Sequence, residues 1–309
     1  MTAAKRYAVL FRAHIWDDYV ERQYQRLKAN IGRGYLYVLL DETNGPIETG
    51  KERVVSHTNP AIESLGLADA KSGNFLWYNG DYPLYFFYDR HPEYDYYVMS
   101  EYDVTVNGSI DSIVDEVAQA GAGLLALAKG ETTEDKIVSC LDVYPREEAQ
   151  KRLICIAVFS REAVRALFDK RIELSREYAA GRIRRWPFCE NFIPAELRRR
   201  GFKLMELTDF GSTENYGWWP PVLERDLDDL QHQIFIHPVL DDRRYVDSAL
   251  RIWRIHDLFD ARSPLLRRLR KVPFGVYGPP LATAVRRRLA GAVDRRLGPI
   301  LGRASHKAG

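Results

Sequence analysis

Sulfur is scarce in this chain, and long apolar runs are missing. Cys140, Cys155 and Cys189 are few, odd in number and never spaced as CxxC. That argues against a disulfide framework or a zinc knuckle and for a reducing compartment. No run of about eighteen uninterrupted apolar residues exists, so nothing reads as a membrane span. The opening MTAAKRYAVLFRAHIWDD carries only a short apolar run. It reads as a first strand rather than a signal peptide, and a cytoplasmic protein is expected. Glycine-rich nucleotide motifs are absent too. No GxGxxG follows the first strand, and Gly32-Arg33-Gly34 lies before a strand rather than after one. This argues against a dinucleotide oxidoreductase or a methyltransferase of that type. The Walker lysine motif, the GxSxG elbow and HExxH are also missing, as is the glycine-rich basic loop with which nucleotidylyltransferases usually begin.

Nor does either charge dominate, since the net charge is only +2. The distribution is uneven, however. Residues 259–309 hold twelve Lys/Arg and two Asp/Glu, a local +10 that leaves −8 for the remainder. With 309 residues, 46% hydrophobic and 28% charged, the chain suits a soluble enzyme with a full core. The composition implies a main domain over residues 1–258 and a basic helical extension over 259–309.

Strands and helices alternate along the main domain. Arg6–Ile15, Tyr35–Leu40 and Arg53–Ser56 read as strands, with a helix opened by Asp17 and Asp18 between the first two. Asp81–Arg90 reads as a helix, Tyr94–Ser100 as a strand, and Ser109 as the cap of an amphipathic helix. Gly123–Ala128, Leu153–Phe159 and Phe202–Leu207 are further strands, and Ser160 caps a long helix. Such alternation implies βαβ units and a mixed, mostly parallel sheet flanked by helices, a Rossmann-like α/β fold.

The most informative stretch is the tyrosine-rich run ending EYDVTVNG at Gly108. In an extended chain, side chains at i and i+2 share a face. Glu101 and Asp103 therefore converge at the end of a strand, where Mg²⁺ or Mn²⁺ could be held by carboxylate oxygens. The alternative is that they simply cap the strand at the surface. Arg182, Arg184 and Arg185 precede Trp186, and a guanidinium such as that of Arg185 suits a diphosphate; loop arginines are otherwise solvated. Tyr216, Trp218 and Trp219 lie in GSTENYGWWPP and could stack on an acceptor sugar or plug the core.

Three segments together carry a resemblance: WYNGDYPLYFFYDRHPEYDYYVMSEYDVTVNG, CENFIPAELRRRGF and FIHPV. In order and spacing they resemble glycosyltransferases of the GT-A fold, over about Tyr7 to Leu240. The resemblance implies a GT-A-like fold and a metal-dependent transfer. The donor would be a nucleotide-diphosphate sugar and the acceptor a saccharide or lipid-linked hydroxyl. The family's Asp-x-Asp motif becomes Glu-Tyr-Asp here, with Asp103 on the metal and Glu101 on metal or ribose. By the same resemblance His237 completes the Mn²⁺ or Mg²⁺ site, Asp41 contacts the nucleotide, and Glu190 is the general base of an inverting reaction. An acidic residue at a helix start is also ordinary dipole stabilisation, and the helix field favours its ionised form. His237 is otherwise a hydrogen-bonded structural residue.

In the basic tail, SPLLRRLRK and LATAVRRRLAGAVDRRL place apolar residues at helical spacing, Leu281, Val285, Leu289, Val293 and Leu297 among them. Pro279 and Pro280 are expected to separate two helices. Arginine-rich amphipathic helices suit an anionic membrane surface; nucleic acid, which the acidic remainder disfavours, is not expected as a partner. The rival to an enzyme is a non-catalytic GT-A-like protein that binds a glycan or a membrane.

Overall fold

The computed structural model describes residues 5–70, 75–128, 133–252 and 255–305, with the backbone alone described at 252, 255 and 290–305. The chain divides into two compact units. One is Met1–Pro220 with Leu230–Pro238; the other is Pro221–Asp229 with Val239–Gly309. Residues 239–258, which composition groups with the main domain, thus pack with the tail.

In the first unit, β1 (Tyr7–Ala13), β2 (Tyr35–Asp41), β3 (Val54–His57) and β4 (Tyr96–Glu101) are parallel neighbours. A two-residue strand, β5 (Thr105–Val106), leaves the sheet; β6 (Ala122–Leu127), β7 (Leu153–Ser160) and β8 (Lys203–Met205) complete it. The order is β3-β2-β1-β4-β7-β6-β8, and β7 alone runs against the rest. This is the mixed, mostly parallel sheet that the alternating pattern implies.

Among the described residues, the α-helices of this unit are α1 (Asp18–Ala29), α2 (Asn59–Glu63), α3 (Phe75–Tyr78), α4 (Tyr82–Arg90), α5 (Ile110–Gln119), α6 (Glu134–Cys140), α7 (Arg161–Ala179) and α8 (Cys189–Arg199). The strand period of two decides which face each helix covers. Tyr7, Val9 and Phe11 of β1 pack with Tyr19, Val20 and Leu27 of α1 and with Val114 and Val117 of α5. Ala8 and Leu10 point the other way, toward Leu84 and Phe87 of α4, Leu167 of α7 and Phe192 of α8. Sheets buried on both faces read as near-continuous apolar runs, as YAVLF and YLYVLL do. The caps are those the sequence announces. Asp17 accepts from the Tyr19 and Val20 amides, Ser109 from Ser112 and Ser160 from Ala163.

The second unit pairs β9 (Val222–Leu223) with β11 (Val239–Leu240) and adds α9 (Asp242–Ile252), α10 (Pro264–Leu269) and α11 (Phe274–Ser305). Its own core joins Leu223, Tyr245, Val246 and Ala249 to Leu265 and Leu269. One expectation is corrected here. Pro279 and Pro280 do not separate two helices, because α11 runs through both; the break falls at 270–273. A proline costs most deep in a helix, where its ring and missing N–H oppose an existing turn. These two are the sixth and seventh residues of α11, where they remove two N–H donors without ending the helix. In the tail, Leu265 and Leu269 are buried and Leu281 is half-buried against this core, whereas Leu289 is exposed. The side chains of Val293 and Leu297 lie outside the described residues. FIHPV divides between two short strands. β10 (Phe235–Ile236) pairs with β5, whereas Val239 and Leu240 belong to β11.

Candidate active site

The C-terminal ends of the parallel strands share one edge of the sheet, the usual place for ligands in open α/β sheets. Arg12 of β1 is the register partner of Glu101 at the end of β4. Its Nη1 lies 3.5 Å from Glu101 Oε1. β4 and β7 are antiparallel with Ser100 opposite Ile156, so one step further along the ladder Cys155 faces Glu101. After Glu101 the chain turns and β5 pairs antiparallel with β10, Thr105 opposite Ile236. The next residue of that strand, His237, is thereby delivered beside Asp103.

His237 is 6% exposed and clamped by its own backbone. Its amide donates to the Asn215 carbonyl and its carbonyl accepts from the Gly217 amide. Its Nδ1 stands 2.5 Å from the Gly217 carbonyl oxygen. A carbonyl can only accept, so Nδ1 carries the proton and Nε2 is turned inward. Nε2 lies 3.5 Å from Asp103 Oδ1 and 3.6 Å from Glu101 Oε2. Those separations are long for N–H···O hydrogen bonds, which centre near ~2.9 Å. They match ligand atoms sharing one cation: bonds of about 2.1 Å in a tetrahedral site put neighbouring ligands roughly 3.4 Å apart. Glu101, Cys155 and His237 each place a ligand atom within 4.8 Å of the others. The donor set therefore fits a divalent cation.

Burial and neighbouring charge act on each of these groups. Burial raises the Glu101 carboxyl, but the His237 contact and the Arg12 charge outweigh it and bring the pKa down to about 2. Burial would lower His237; the Cys155 sulfur and the Asp103 carboxylate reverse that and hold it well above the usual imidazole value. Burial pushes the Cys155 thiol up to about 11.

Glu190 opens α8 near this cluster, close enough that the Glu101 charge helps raise its pKa. Burial is the larger cause, and the lysines oppose it. Lys151 Nζ lies 3.2 Å from Glu190 Oε2. Burial thus works against the ionised form that a helix start favours. Lys136 lies over the Phe188 and Trp77 rings beside the start of α8.

The other candidates are more dispersed. Asp41 ends β2 at the same sheet edge, opposite His57, and accepts from the Thr43 amide and hydroxyl. Arg185 is exposed and held in an ion pair with Asp142 at 3.0 Å. Tyr216 is fully buried, with its ring 5.8 Å from that of His237 and its hydroxyl accepting from the Ile156 amide. It has no face left for an acceptor, so its role is packing, and the stacking expectation is corrected. Trp218 is 68% exposed and Trp219 half-buried. Sequence reading missed Arg12, Cys155 and Lys151. Arg12 had a signal, a lone charge inside the apolar run YAVLFRAHI. Cys155 had none, since a buried cysteine in a strand looks like any small hydrophobe.

No protein-family model matches this chain, and no curated protein matches it. Among solved structures it is similar to the apo form of mouse xyloside xylosyltransferase 1, at 9% identity and a TM-score of 0.42, over 75% of this chain and 94% of that one.

Proposed function

We propose that this protein is a metal-dependent glycosyltransferase of the GT-A kind. It would move a sugar from a nucleotide-diphosphate donor to the hydroxyl of a saccharide or lipid-linked acceptor. One observation carries the reading: a late histidine, His237, meets both carboxylates of the Glu-x-Asp motif at 3.5 and 3.6 Å, its other nitrogen already committed to a backbone carbonyl. Glu101, Asp103 and His237 would hold Mn²⁺ or Mg²⁺, oriented as metal-bound imidazoles usually are by a partner on the second nitrogen. A cation bound there neutralises a diphosphate leaving group.

The remaining steps belong to the chain's own groups. The Glu190 carboxylate accepts the proton of the acceptor hydroxyl as that oxygen attacks the anomeric carbon. A pKa raised by burial brings this base nearer its working pH, and Lys151 opposes that rise. Attack from the face opposite the leaving diphosphate inverts the anomeric centre. Trp218 offers an exposed ring for an acceptor sugar, Asp41 a carboxylate for the nucleotide, and Arg185 a guanidinium for a diphosphate. The exposed Arg267, Arg270, Arg286 and Arg287 suit an anionic lipid surface, where a lipid-linked acceptor would reside.

Calorimetric titration with nucleoside diphosphates and nucleotide sugars, with and without Mn²⁺, tests the reading alongside product detection by mass spectrometry. Metal-dependent nucleotide binding that Asp103→Ala abolishes is the expected result. If no nucleotide sugar is hydrolysed or transferred with Mn²⁺, and Asp103→Ala leaves binding unchanged, the reading is wrong.

A further inference from the structure

We propose that Cys155 is itself a ligand of the cation held by Glu101 and His237, and that its sulfur makes the site prefer thiophilic borderline ions such as Co²⁺ and Zn²⁺ over Mg²⁺. The inference rests on the metal reading above and deepens it.

Placement is the first ground. Cys155 is 8% exposed, on the strand beside β4, in register with Glu101 and within 4.8 Å of both the Glu101 and His237 ligand atoms. Chemistry is the second. A buried cysteine that only filled space would face apolar neighbours, as an inert core thiol does. This one instead faces a carboxylate and an imidazole nitrogen whose tautomer is set by the Gly217 carbonyl. Sulfur, imidazole and carboxylate together are the ligand types of zinc and cobalt sites, whereas Mg²⁺ takes oxygen and dehydrates reluctantly. Rigidity is the third. The Tyr216 hydroxyl takes the Ile156 amide, which pins β7 next to the sulfur, and its ring packs on His237. Among the described residues, Cys140 and Cys189 belong to no such ligand group and serve as internal controls.

Cobalt reports the sulfur directly, because a Co²⁺–thiolate bond adds a near-ultraviolet charge-transfer band that oxygen and nitrogen ligands do not. The full chain is titrated with Co²⁺ by absorbance and, separately, with Co²⁺, Mn²⁺ and Mg²⁺ by calorimetry. The expected result is a saturable band present in the native chain, in Cys140→Ser and in Cys189→Ser, and absent in Cys155→Ser. Cys155→Ser should weaken Co²⁺ binding by about tenfold or more with little change for Mg²⁺. The native band is measured without any variant, so poor folding of Cys155→Ser does not decide the question, and Cys155→Ala provides a second variant. Co²⁺ binding without the band overturns the sulfur ligand and leaves the Glu101–Asp103–His237 site standing. Absence of binding by Co²⁺, Mn²⁺ and Mg²⁺ alike overturns both.

Discussion

His57 closes β3 with its ring buried and, among the described residues, no partner for its Nδ1. Burial lowers its pKa from 6.5 to about 4, against the nearby Asp41 and Glu42 carboxylates and with the Arg12 charge. Between those values the unfolded chain binds a proton that the folded chain refuses. Stability therefore falls as pH drops from 6.5 toward 4, by up to about 3 kcal/mol from this residue. His57→Leu should flatten that part of the profile, read as urea midpoints against pH. At Glu190 the expectation is kinetic. Glu190→Gln should lower the transfer rate by about 10²–10⁴-fold, the usual contribution of a positioned base, while calorimetric nucleotide affinity is unchanged. The same scale shows what a linear reading can see. Glu101 and Asp103 were legible as an acidic pair, but β4 ends at Glu101 and the two carboxylates approach His237 across a turn rather than as i and i+2 of one strand. Cys155 was not, because only pairing between β4 and β7 brings it beside the Glu101 carboxylate.

Elements are held around the site by one buried ion pair. Arg171 of α7 is fully buried, lies 2.8 Å from Asp81 just before α4, and donates to the Pro187 carbonyl just before α8. The Tyr85 hydroxyl also bonds Asp81, and the Arg171 guanidinium sits 3.9 Å over the Phe192 ring. Removing one partner of such a pair strands the other charge in the core. Arg171→Met should cost about 3–5 kcal/mol, seen as a lowered Tm. The caps Asp17, Ser109 and Ser160, and the strand cores they flank, were readable from sequence because capping and alternation are local. The fate of FIHPV was not. Phe235 and Ile236 pair with Val106 and Thr105, and Val239 pairs with Val222, partners that the local sequence does not indicate.

For the whole molecule, composition and packing draw different lines. Charge changes at 259, yet Leu265, Leu269 and Val272 are buried with Tyr245, Val246 and Ala249 of α9. A chain truncated after Leu258 loses that cover. Increased binding of a hydrophobic dye and a lowered Tm are expected, where an independent tail would leave both unchanged. The exposed tail arginines give a further expectation. Sedimentation with vesicles rich in phosphatidylserine should carry the intact chain down at low salt and release it at high salt; Arg286→Glu with Arg287→Glu should weaken it. Among the described residues no helix is long and apolar enough to cross a membrane.

By itself the sequence determined the α/β class, the two-sided burial of the central strands, the helix caps, and the charge of the tail. Each is local, set by side-chain period, capping chemistry or composition. Only the tertiary structure decided that His237 and Cys155 join the acidic pair, that Tyr216 packs behind them, and that the tail closes a second core. Those are matters of register between distant strands and of which apolar faces meet, and a linear order of residues does not carry that information.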